Sequence, residues 1–221
     1  MKGKTLLLLL LSFCFIASSC SAQQYKPPKV GQIVWERSDD TIWIAVEIIN
    51  ENSDVGLYRA PISIVLYNKD NKMIGTNTII GDFDIIRLLL PNEKIIYAEA
   101  LLDIKEDPAN IKVTFPNLKW INFSNINIPK ISVSEQNFIY DDEYPKLLCM
   151  INNESNSKLE GYLVIAFYVK GDKLWGARRD LLGYIQEKSA IPYEEKFYIQ
   201  PPKDAEYIIK VFPERIPALE K

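Results

Sequence analysis

The sequence contains no histidine, and that absence alone removes the Ser-His-Asp and Cys-His nucleophile systems and every histidine-ligated metal site. Cysteine is almost as scarce: of the three present, Cys14 and Cys20 lie near the N-terminus, which leaves Cys149 alone in the body of the chain. One cysteine cannot close an intramolecular disulfide, so the fold has to be held by its core. No block of Lys or Arg could neutralise a row of phosphates, which argues against nucleic acid as a partner. The net charge is -3, and it falls to -5 once Lys2 and Lys4 are set aside. No stretch repeats its apolar residues at helical spacing between caps.

What is present starts with an export signal. Lys2 and Lys4 form a charged n-region, and residues 6–11 with Phe13, Phe15 and Ile16 form an apolar h-region too short for a stable bilayer span. Residues 1–19 therefore read as a signal peptide. Ala17-Ser18-Ser19-Cys20 resembles a bacterial lipobox, in which Cys20 is diacylated and becomes the mature N-terminus. The competing reading is signal-peptidase cleavage after Cys20-Ser21-Ala22, which would release a soluble periplasmic or secreted protein. The expected location is the cell envelope, at the outer membrane because Ser21 does not resemble an inner-membrane retention signal. Residues 20–28, with Pro27-Pro28, read as the lipidated N-terminus and a short extended tether.

The remaining chain repeats itself. With Pro28 laid on Pro129, the block Ile64, Tyr67, Lys69, Lys72 and Gly75 falls on Ile165, Tyr168, Lys170, Lys173 and Gly176. Pro91, Glu93 and Tyr97 fall on Pro192, Glu194 and Tyr198. A one-residue slip between these blocks sets Asp39-Asp40 on Asp141-Asp142 and Ile49-Asn50 on Ile151-Asn152. The repeats are assigned to residues 29–123 and 124–221.

Each repeat reads as β. Ile42, Ile44, Val46 and Ile48 recur at every second position, as do Ile62, Ile64 and Leu66, and then Leu163, Ile165 and Phe167. Asn68-Lys69-Asp70-Asn71, Val169-Lys170-Gly171-Asp172, Leu90-Pro91-Asn92-Glu93 and Ile191-Pro192-Tyr193-Glu194 supply turns. Short strands punctuated this often predict an all-β chain: tandem immunoglobulin-like β-sandwiches, each with its own core, preceded by a signal peptide and tether. Residues 117–127 carry Leu118, Trp120, Ile121 and Phe123, which predicts a packed junction between the modules rather than a flexible linker.

Ile48-Ile49-Asn50-Glu51-Asn52-Ser53, then Ile64-Val65-Leu66-Tyr67-Asn68 with Lys-x-x-Gly and Leu-Pro-x-Glu turns after it, resemble the FxLYD-type extracytoplasmic β-sandwich. The second copy has Ile151-Asn152-Asn153-Glu154-Ser155 and Ile165-Ala166-Phe167-Tyr168; Ile64 and Ile165 replace the leading Phe, and Asn68 and Val169 the closing Asp. The resemblance implies a sandwich fold and no activity.

Sites are sparse. Asp39-Asp40 and Asp141-Asp142-Glu143 are clustered carboxylates, read as solvated turns against calcium binding or a glycosidase pair. Trp35, Trp43, Trp120 and Trp175 are aromatics of sandwich strands, and Trp175 is the best candidate for a ligand contact. Leu88, in Leu88-Leu89-Leu90, is a candidate partner contact or a strand buried on both sides. Arg178 and Arg179 occupy the region where the copies differ most, as a polar strand face or a partner site. No catalytic residue, metal or cofactor is expected. The expected function is a non-enzymatic envelope lipoprotein that serves as an interaction or structural module, attached to the membrane through its lipid and to a protein partner. The alternative is a glycan- or cell-wall-binding module.

Overall fold

The computed structural model describes residues 25–77, 85–140, 144–169, 172–197 and 200–219. The signal peptide, Cys20 and Asp141-Asp142-Glu143 lie outside the described residues. The chain is all-β. Its first module comprises β1 (Lys29–Ser38), β2 (Thr41–Ile49), β3 (Val55–Pro61), β4 (Ser63–Tyr67), β5 (Met73–Thr76), β6 (Ile85–Leu89), β7 (Lys94–Leu101), β8 (Asn110–Thr114) and β9 (Trp120–Asn122). The second comprises β10 (Ile131–Ile139), β11 (Lys146–Asn153), β12 (Leu159–Val169), β13 (Lys173–Ile185), β14 (Ser189–Lys196) and β15 (Glu206–Pro213).

Both modules are antiparallel sandwiches of one plan. Sheet β1-β2-β7 corresponds to β10-β11-β14, and the facing layer β13-β12-β15 is split in the first module into β6-β3-β9 and β5-β4-β8. The split falls at Ile62, between Pro61 and Ser63, where a proline cannot donate to the ladder. Asn77 repairs the gap: its Nδ2 donates to the Ile62 carbonyl at 2.9 Å, and its Oδ1 accepts from the Ile64 N–H at 2.5 Å. At Gly56 the chain passes so close to β6 that a Cβ would stand 2.4 Å from the Leu89 carbonyl oxygen.

The alternation seen in the sequence builds the cores. Ile42, Val46, Ile48, Ile62, Ile64 and Leu66 are fully buried in the first module. Leu147, Ile151, Leu163 and Ile165 are fully buried in the second, around Phe167 and Phe197. Each such side chain contributes roughly 1.5–3 kcal/mol by leaving water.

Equivalent buried asparagines end β2 and β11. Asn50 Nδ2 donates to the carbonyls of Val55 (2.7 Å) and Leu90 (2.9 Å), and its Oδ1 accepts from Asn52 N–H. Asn153 Nδ2 donates to Ser157, Ile185 and Gln186 carbonyls, and its Oδ1 accepts from Ser155 N–H. Asn50 therefore matches Asn153, where the sequence comparison had set it on Asn152.

A second register differs more. Ile48 faces Ile95 across β2 and β7, while Ile151 faces Ile191 across β11 and β14, so Ile95 matches Ile191. The turn at Leu90-Pro91-Asn92-Glu93 thus corresponds to Gln186-Glu187-Lys188-Ser189, with left-handed Asn92 (φ 53°) and Lys188 (φ 50°) at the same position. The turn expected at Ile191-Pro192-Tyr193-Glu194 is instead part of β14, where Pro192 pairs with Met150. β14 is an edge strand, where proline is tolerated.

The modules do not have separate cores throughout. Tyr162, Val164, Ala166, Leu174, Ala177, Phe212 and Ile216 of the second module pack into the core cluster of the first. Sheet β13-β12-β15 is consequently buried on two faces. Its Leu163, Ile165 and Phe167 line its own sandwich, and Val164 and Ala166 face the first module. This also explains why Ala45 and Glu47, on the face of β2 opposite the isoleucine stripe, are buried. Within residues 117–127, Trp120–Asn122 form β9, the last strand of the first module, and the apolar side chains of the segment pack on the shared core. Trp120 pairs with Leu57, and Phe123 is buried in the first core.

Cys149 is buried in the second core at 4% exposure, and burial pushes its thiol above the ordinary range. A thiol reagent is expected to label it in native protein far more slowly than in urea-unfolded protein. Equal rates in the two states would show that the second core is open.

Candidate functional site at the junction of the modules

The interface is built from residue types that alternation would place outward. On β1, the Gln32 side-chain amide reads the backbone of β13 like a neighbouring strand. Its Nε2 donates to the Asp172 carbonyl and its Oε1 accepts from the Leu174 N–H, both at 2.9 Å. Further along the same pair of strands, Arg178 lies over the Trp43 ring at 4.2 Å, with Glu36 Oε2 4.0 Å from its Nη2. Arg179 Nη2 donates to Glu99 Oε2 at 2.5 Å, and its Nη1 donates to Tyr162 Oη at 3.1 Å. Tyr97 Oη donates to the same Glu99 oxygen at 2.8 Å. Burial holds the Tyr97 and Tyr162 phenols well above their usual range, so both stay neutral.

A second ionic cluster lies between β6 and the end of β15. Arg87 Nη1 stands 2.6 Å from Glu214 Oε1, with Arg59 Nη1 3.5 Å from the same oxygen and the Arg87 guanidinium over the Tyr162 ring. Tyr58 Oη accepts from the Ile216 N–H at 2.9 Å. Lys210 of β15 pairs with Glu93 before β7. Beside Lys210 is a cavity of about 390 Å³ with walls from both modules, among them Ile95, Val164, Ala166 and Phe212.

Arg178 and Arg179 do make contacts beyond their own module, but with the first module of the same chain. Leu88 is 4% exposed in the shared core, which makes it part of a strand buried on both sides and corrects its reading as an outward contact. Trp175 is half-buried, with Phe167 edge-on at 6.1 Å, apart from the junction. Trp43 lies beneath Arg178, and Trp120 packs against Tyr25 at 5.8 Å. Asp40, in the β1–β2 hairpin, is paired with Lys105 after β7. Among the described residues no three His, Cys, Asp or Glu side chains stand together as a metal site would need.

Sequence reasoning missed Glu36, Arg87, Glu99 and Glu214. The available signal was a charge inside an apolar strand, such as Arg87 in Ile85-Ile86-Arg87-Leu88-Leu89, because a charge so placed needs a buried partner.

No protein-family model and no curated protein matches the chain. Among solved structures, a calcium-binding mutant of Bacteroides uniformis beta-glucuronidase 2 is similar at 12% identity with a TM-score of 0.25. The likeness covers 82% of this chain and 25% of that one, so the chain spans about a quarter of that structure. At that score it carries no argument about fold or function.

Glu36 gives the junction a pH dependence. Burial raises its carboxyl above the ordinary range, and Arg178 opposes this without cancelling it. The folded state therefore binds that proton more tightly than the unfolded state. Its contribution is present below the ordinary carboxyl range and is lost as pH rises through the raised one. Glu36→Gln is expected to abolish this loss, so the urea midpoints of wild type and variant diverge in the variant's favour above about pH 4. Parallel profiles would remove Glu36 from the account.

Proposed function

We propose that this chain is a non-enzymatic protein of the bacterial cell envelope, exported and anchored through diacylated Cys20, in which a linked pair of sandwiches acts as an interaction or structural module. The observation that supports this reading is the use of Arg87, Arg178, Arg179, Glu99 and Glu214 to join the two modules. These buried charges serve construction rather than a reaction. The kinship we propose is with the FxLYD-type sandwich, and it rests on Ile64-Val65-Leu66-Tyr67 in β4 and Ile165-Ala166-Phe167-Tyr168 in β12. The surface we assign to a protein partner is the far end of edge strand β13. There Leu181 and Tyr184 are 44% and 63% exposed, and a side chain at Gly183 would meet nothing.

Crosslinking of intact envelopes, capture of the chain and mass spectrometry test the proposal. A discrete partner, lost on Leu181→Asp, is the expected result; a chain recovered without partners contradicts it. Metabolic palmitate labelling lost on Cys20→Ala tests the anchor separately.

A further inference from the structure

The junction cavity has the features of a ligand site, and they differ from those of a packing fault. Its volume of about 390 Å³ falls in the range of small-molecule pockets. The space exists because β12 places small side chains, Val164 and Ala166, on its junction face, while Leu163, Ile165 and Phe167 fill its other face. Apolar surface remains uncovered at its mouth, where Ile208 on β15 is 58% exposed.

The polar groups at the mouth are arranged by sign. Lys94 Nζ lies 2.8 Å from Glu47 Oε1, and Lys210 is paired with Glu93. In both pairs the lysine is the exposed partner: its side chain is 52% exposed against 8% for Glu47 in the first, and 39% against 17% for Glu93 in the second. The carboxylates thus sit behind and the ammonium groups in front. Lys94 is held to Glu47 as an ion pair and Lys210 donates to Glu93, so each ammonium, with three N–H donors, keeps N–H groups for a further acceptor. Tyr168 also lines the space, and the charge of Asp172 acts on Lys94.

We propose that this cleft binds one amphiphile made of a single apolar chain and a carboxylate, with the chain against Val164 and Ala166 and the carboxylate between Lys94 and Lys210. The apolar walls reject a sugar or a peptide backbone, whose polar groups would be left without partners. The paired cations at the mouth favour an acid over an alcohol of equal length. The site stands independently of the envelope reading and of the partner surface on β13.

Calorimetric titration with dodecanoate and with dodecanol tests it, using the full chain carrying Cys20→Ser so that no anchor acyl group competes. Dodecanoate is expected to bind saturably at one per chain and more tightly than dodecanol. Ala166→Phe, which fills the cavity, is expected to abolish binding. Lys94→Gln and Lys210→Gln should each weaken dodecanoate about tenfold, the loss of one charge-assisted hydrogen bond, and leave dodecanol unchanged. Lys210 is partly exposed and its partner Glu93 is less buried than Glu47, so Lys210→Gln keeps the test valid if Ala166→Phe does not fold. Absence of saturable binding, a folded Ala166→Phe that still binds, equal affinity for acid and alcohol, or lysine variants that affect both ligands equally would each overturn the proposal.

Discussion

Replacing Arg87 by methionine is expected to destabilise the folded chain by about 3–5 kcal/mol, the usual cost of removing one partner from a buried ion pair. The side chains of Arg87 and Glu214 are 3% and 9% exposed, so the substitution strands a carboxylate away from water. Arg59, 3.5 Å from the same Glu214 oxygen, takes up part of that charge and places the expected cost at the lower end of the range. The double variant Arg87→Met with Glu214→Leu should recover stability to within about 1 kcal/mol of wild type, because well-packed apolar replacements of a buried pair are close to neutral. Urea titration measures both. A midpoint that falls in the single variant and returns in the double one, at unchanged slope, is the expected result. A single variant as stable as wild type would mean that the Arg87–Glu214 contact carries no load at the junction.

Asn153→Ala should cost about 3 kcal/mol, since it leaves several buried backbone groups without partners at once. The side chain is 1% exposed and ties the β11–β12 loop to the end of β13 through the carbonyls of Ser157, Ile185 and Gln186. Asn153→Asp separates the donor role from packing. The ionised carboxylate keeps the shape and the bond from Ser155 but has no N–H to offer the three carbonyls, and its own charge is buried. It should therefore be at least as destabilising as alanine near neutral pH. It should recover in acid, where the protonated carboxyl offers one O–H. Asn50→Ala, at the matching position of the first module, should behave alike. If Asn153→Asp shows no recovery on acidification, the donor role is wrong.

The strands themselves were legible because one local rule produces them: an apolar side chain at every second position needs a buried face. β2, β4 and β12 follow it, and so do the turns at Asn68-Lys69-Asp70-Asn71 and Leu90-Pro91-Asn92-Glu93. The register of the repeat was less legible. Pro192 looked like the partner of Pro91, but proline marks a turn in one copy and sits in an edge strand in the other. Residue identity misled where the position opposite β11 decides.

The junction was barely legible, for a physical reason. Arg178 and Arg179 read as a solvated strand face because nothing in the local sequence reveals Glu36, Trp43 and Glu99, which come from strands far away in the chain. Small Val164 and Ala166 opposite bulky neighbours were the one local trace of a second buried face on β12. Leu88 carried the same ambiguity: an apolar run without alternation fits a sticky edge and a doubly buried strand equally well.

The central claim is that a buried, charge-paired interface makes two sandwiches fold as one unit. Trp175 is the only tryptophan of the second module, and Trp120 reports on the first. Two versions of the chain, each keeping one of these with the other tryptophans changed to phenylalanine, give module-specific fluorescence during urea unfolding. Adding Ile165→Ala, a cavity in the second core at a fully buried position, should lower both midpoints together. A midpoint that moves for Trp175 and stays in place for Trp120 would show two modules that merely touch.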